Sequence, residues 1–106
     1  MDIHELKRQS DLSYDTAVAK RNALEKARSR LVIVYNEHIF RADAETIGLV
    51  KVLSEVHDKP LYILDTNSNP VEIIDPDDFL KKMIARNQEV ISAYHEVSKT
   101  FEKRND

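Results

Sequence analysis

Asp65, Asn67 and Asn69 place side-chain oxygens at alternate positions of Asp65-Thr66-Asn67-Ser68-Asn69-Pro70, which is how a calcium-binding loop opens. Such a loop needs Gly at its sixth position for a sharp turn and a bidentate Glu at its twelfth; this chain has Pro70 and Pro76 there. Proline cannot take the positive φ of that turn. The spacing therefore predicts a polar hairpin turn built from Asx-type hydrogen bonds. Glu72, Asp75, Asp77 and Asp78 form a second carboxylate group, whose chemistry would be Mg²⁺ binding or acid/base work. Helix capping accounts for three of the four, and the sequence identifies no second set of groups to converge on them. His4, His38, His57 and His95 lie apart, with no HExxH or other ligand spacing. With one Gly the chain holds neither a P-loop nor a dinucleotide fingerprint, and without Cys it holds no disulfide, thiolate ligand or cysteine nucleophile. The expectation is a protein that is not an enzyme, with no catalytic residues, no metal site and no cofactor.

Charge offers a different chemistry. Residues 1–30 carry seven Lys and Arg against five Asp and Glu, whereas the remainder carries nine against fourteen. Lys20, Arg21, Lys26, Arg28 and Arg30 face only Glu25 within one stretch, a pattern suited to nucleic acid or an acidic protein surface. A solvated helix face explains it more simply. The tyrosines do not form the basic-aromatic strand motif of single-strand RNA binders.

These residues need elements to hold them. Residues 2–30 lack Gly and Pro and carry a weak three-four spacing through Ile3, Leu6, Ser10, Ser13, Ala17, Lys20, Leu24, Ala27 and Leu31, which predicts a helix, with a break at Ser10 to Ser13 and a start near Tyr14, capped by Asp11 or Ser13, as the alternative. Leu31–Tyr35 and Ile39–Ala42 read as a hairpin about Asn36-Glu37, with Ile33 opposite Phe40 and Val34 opposite Ile39. Apolar residues on both faces of that pair predict helices covering both. Asp43 caps a helix running to about His57, whose Ile47, Leu49, Val50, Val52, Leu53 and Val56 span more than half its circumference, as for a helix pressed into a core. Gly48 in its middle suggests close approach by another backbone. Leu61–Leu64 and Val71–Ile74 form a second hairpin, and Asp75-Pro76 starts a final helix reaching about Lys103.

That last helix carries Leu80, Met83, Asn87, Val90, Tyr94, Val97 and Phe101 at alternating steps of three and four, the a/d seam of a coiled coil. At about 28 residues and 1.5 Å each it is roughly 40 Å long, longer than one compact domain of this size needs. The seam predicts self-association through the C-terminal helix, with Asn87 fixing register at a cost in stability. Cover by the N-terminal helix of the same chain is the competing arrangement, disfavoured by that helix's polar stripe. Ile84 and Ile91 widen the apolar stripe.

The 106 residues, 42% hydrophobic and 33% charged, fit one α+β domain: an N-terminal helical segment over 1–30, two hairpins with a central helix over 31–75, and a long helix over 76–103. No run approaches a membrane span and the polar start is not a signal peptide, so the expected compartment is the cytoplasm, with no membrane partner.

The motifs Ile39-Phe40-Arg41-Ala42-Asp43, Leu64-Asp65 with Asn69-Pro70-Val71, and Asp75 through Phe79 before a long helix give the stretch from Leu31 to Phe101 a resemblance. It resembles small uncharacterised proteins of contractile-tailed marine phages, of the myovirus type. The resemblance implies a viral origin and a setting in virion assembly or host interaction, in the host cytoplasm or the virion, and carries over no functional residue. Together these readings lead to a non-enzymatic oligomeric interaction or assembly protein, with a nucleic-acid-associated regulator using the basic 20–30 segment as the alternative.

Overall fold

The computed structural model describes the backbone of residues 3–56 and 60–104, and the side chains of residues 3, 14–56 and 60–101. It is an α+β chain: α1 (Ile3–Arg30), β1 (Val32–Tyr35), β2 (His38–Arg41), α2 (Ala44–Val56), β3 (Leu61–Leu64), β4 (Pro70–Ile73) and α3 (Pro76–Arg104). Helix α1 is continuous, so the break suggested by Ser10 to Ser13 is not made. A serine inside a helix competes for backbone hydrogen bonds but removes none, unlike proline. His57 and the end expected there for the second helix lie outside the described residues. Among the described residues, no helix is long and apolar enough to cross a membrane.

Local chemistry sets the boundaries. Asn36 and Glu37 both take positive φ, 50° and 67°, as a two-residue hairpin turn requires, and the register pairs Ile33 with Phe40 and Val34 with Ile39. Asp43 accepts the Thr46 amide at 2.9 Å and Asp75 accepts the Asp78 amide at 3.1 Å, capping α2 and α3. Pro76 follows its cap at the first helical position, where no amide hydrogen is needed.

The two hairpins remain separate two-stranded sheets. One backbone bond links them, from the Thr66 amide to the Ile39 carbonyl at 2.8 Å. Their inner faces close on α2 and α3 around Phe40, Ala42, Val50, Leu61, Ile63, Ile73, Phe79 and Met83. Phe79 is the hub: its ring meets Phe40 edge-on at 4.9 Å and 80°, and Tyr35 at 4.9 Å and 68°. Burial of the Tyr35 phenol, with Asp78 nearby, raises its pKa above the ordinary tyrosine value.

Helices cover only one face of the first hairpin. Val34, 72% exposed, and Ile39 stand on the other, so the expectation of a sheet covered on both sides is corrected. Among the described residues, helices pack beneath the strands and none lies above them.

The end of α1 packs against α3, and Ala23, Lys26, Ala27 and Arg30 line a cleft together with Val90, Ala93, Tyr94 and Val97. Ala19, Ala23 and Ala27 sit four residues apart on α1, and Ala27 is buried. Small side chains at that spacing let the larger Val90, Tyr94 and Phe101 fill the space between the helices. Arg86 Nε donates to the Arg30 carbonyl at 3.0 Å, satisfying one orphan acceptor at the α1 terminus. The pair makes the molecule long, 68 × 24 × 22 Å with a radius of gyration of 19.7 Å.

Candidate functional site

Most of the α3 seam is already occupied within the chain, although Val97 stays 45% exposed. Met83 is fully buried in the core with Leu80 packed against it; Val90 and Phe101 are buried; Tyr94 and Val97 line the cleft against α1. Asn87 does not face another helix in register: its Nδ2 donates to the Ala42 carbonyl at 2.9 Å, joining α3 to the end of the first hairpin. The expectation that Leu80, Met83, Asn87, Val90, Tyr94, Val97 and Phe101 form an open surface for a second copy is therefore corrected. The alanine spacing on α1 was the signal for the competing arrangement.

The basic residues are all exposed but do not share a face. Lys26 and Arg30 line the α1–α3 cleft, whereas Arg28 lines a groove on the other side with Leu31, Val32, Arg41, Asp43 and Thr66. Lys20 and Arg21, one position apart, point about 100° from each other around the helix. Five cations close in sequence thus give no single basic stripe.

Asp65 and its turn behave as the hydrogen-bonding reading expects. Oδ1 accepts the amides of Asn67 at 2.9 Å and Asn69 at 2.8 Å; Oδ2 accepts from Asn69 Nδ2 at 3.4 Å and from His38 Nδ1 at 2.9 Å. A carboxylate only accepts, so His38 Nδ1 carries the hydrogen. The Asn69 amide, working against desolvation and joined by His38 and the Asn67 amide, holds the Asp65 carboxyl below the usual carboxylate range. Its side chain is only 3% exposed. These oxygens are spent on the protein itself, and they fasten the second hairpin to the first beside the Thr66–Ile39 bond.

That junction borders an open apolar surface. Arg41, Thr46, Leu49, Tyr62, Leu64 and Thr66 line a groove of about 350 Å³ between β2, the start of α2 and β3. Leu49, Val52 and Val56 recur at steps of three and four along one side of α2, and all are more than half exposed. Tyr62 at 55% and Leu64 at 62% exposure stand beside that stripe on the outer face of β3. Only Val50, with Ile47 and Leu53 packed against the core, points inward, so the expectation that the whole apolar set of α2 is buried is corrected. Arg41 makes no ion pair among the described residues and rests at the groove's rim, where it acts on the Asp43 cap. Desolvation of that cap is outweighed by hydrogen bonds from Thr46 and by Arg41, which together lower its pKa.

Sequence reasoning missed this surface although its signal is present. Leu61-Tyr62-Ile63-Leu64 has no polar residue on either side of the strand, and α2 carries more apolar side chains than one core-facing stripe needs. Both patterns fit full burial or an uncovered second face, and only the number of available covering elements separates the two. Among the described residues, no three His, Cys, Asp or Glu side chains come together to hold a metal ion. Comparison with protein-family models, curated proteins and solved structures gives no match.

Proposed function

We propose that the protein is a non-enzymatic oligomeric interaction module that binds a protein partner on the α2–β3 surface, in the setting of phage virion assembly or host interaction, in the host cytoplasm or the virion. The observation that carries the reading is the run of exposed apolar side chains Leu49, Val52, Val56, Tyr62 and Leu64 with Arg41 at its edge. Tyr62 and Arg41 are of the residue types enriched in binding hot spots, Arg41 makes no ion pair among the described residues, and the aliphatic Leu49, Val52, Val56 and Leu64 add apolar area around them. Leaving them in water forgoes about 1.5–3 kcal/mol for each large side chain that burial would return. A partner with apolar side chains and a carboxylate for Arg41 fits. The basic segment, divided between two sides of α1, supports nucleic-acid binding less well.

A photo-reactive amino acid placed at Tyr62 or Leu64 in cells that make the protein should yield a discrete heavier adduct. The same group at Asn22, exposed on α1, should not. Absence of adducts at both surface positions defeats the partner reading. Light scattering across micromolar concentrations tests the oligomeric part, which a strict monomer would exclude.

A further inference from the structure

One flank of α3, beside the seam that faces the core and α1, carries a further stripe. Asp77, Ile84, Ile91 and Ser98 recur every seven residues on it, with Lys81, Gln88, His95 and Lys99 alongside. Ile84 and Ile91 are 44% and 42% exposed, although the inner seam already satisfies the helix's need for packing. We propose that two copies of this chain pair antiparallel through this flanking stripe, with Ile84 of each copy against Ile91 of the other. The proposal rests on the oligomeric reading above and adds the surface and the orientation.

Charge selects both the occupant and its direction. The stripe begins with Asp77 and ends with Lys99, which are exposed. With Ile84 against Ile91, the two-fold axis passes beside Gln88, and Asp77 of each copy comes opposite Lys99 of the other. A parallel pair would instead stack Asp77 on Asp77 and Lys99 on Lys99, which costs free energy. Among the described residues Lys99 pairs with Glu96, at 3.1 Å, in an exposed pair of little worth that can be exchanged. The helix dipoles also oppose in the antiparallel pair. When reversed the stripe matches itself at its two ends, Asp77 against Lys99, and at its isoleucines, with Lys81 opposite His95 between them, as a two-fold interface allows.

The absence of cysteine from the chain makes the test clean. Full-length Gln88→Cys should oxidise to a disulfide-linked dimer because position 88 meets its own copy near the axis. Ile84→Cys and Ile91→Cys should each remain unlinked alone and couple when mixed. In sedimentation, Ile84→Asp should weaken dimerisation by at least about tenfold, with its circular dichroism melt confirming that it folds. Asp77→Lys should also weaken it, and adding Lys99→Asp should restore it. Self-coupling of Ile84→Cys, or failure of Gln88→Cys to couple, overturns the antiparallel pair. If the wild-type protein is monomeric throughout, the oligomeric reading itself falls. If it is a dimer that Leu49→Asp dissolves and Ile84→Asp does not, that reading stands and this interface falls.

Discussion

Glu37 occupies a backbone position that suits another residue. A type I′ turn wants positive φ at both central residues, and a side chain in that region costs about 1 kcal/mol or more. Glu37→Gly should therefore raise the chemical-denaturation midpoint by an amount corresponding to about 1 kcal/mol, less the entropy glycine adds to the unfolded chain. Asp65 gives the opposite kind of dependence. Its folded pKa lies below its unfolded value, so its contribution is complete above the ordinary carboxylate range, near pH 4, and is lost as pH falls through the lowered folded value. Urea melts at pH 7 and pH 3 should show a smaller pH effect in Asp65→Asn than in the parent. Asn87 reverses a sequence expectation. A valine at an a-type position would stabilise a coiled coil, but here Asn87→Val leaves the Ala42 carbonyl without its partner and should cost about 1–2 kcal/mol in equilibrium unfolding.

At the scale of elements, α2 carries a correctable weakness. A Cβ built on Gly48 meets nothing within 4 Å, so the expected close backbone approach is absent. Gly48→Ala should stabilise the protein by about 1 kcal/mol, read as a higher melting temperature. Ala27 is the reverse case. It is buried where α1 meets α3, and Ala27→Leu should force the helices apart at about 1–3 kcal/mol, with unfolding monitored by far-ultraviolet circular dichroism. The hairpin registers and both helix caps were legible because each follows from residues two to four apart: the Asn36-Glu37 turn, the Asp43 carboxylate, the Asp75-Pro76 pair. The α1–α3 pairing was not legible in the same way. Its alanine stripe is a weak local signal, and the decision depended on bringing together residues more than fifty positions apart.

At the scale of the molecule, 106 residues are divided between a small body and a helical stalk. The radius of gyration of 19.7 Å exceeds the roughly 13 Å of a compact chain of this length. With so much of the chain committed to two long helices, too few elements remain to cover the second faces of α2 and β3, and the candidate binding surface is the result. Its individual residues were visible as apolar, but their exposure depended on which other elements were left to cover them.

By itself the sequence determined the α+β order of elements, the turn chemistry at Asn36-Glu37 and Asp65, and the positions of both caps, because short-range sterics and hydrogen bonds set these. Only the tertiary structure decided which apolar stripe each element would bury. Leu80, Met83, Val90 and Phe101 turned toward the body and α1, leaving Ile84, Ile91 and Val97 partly exposed; Val50 turned inward, leaving Leu49, Val52 and Val56 in water. Hydrophobic burial is non-directional and scales with area, so a helix or strand with two apolar faces records no preference of its own. The competition among all elements for one limited core makes that choice.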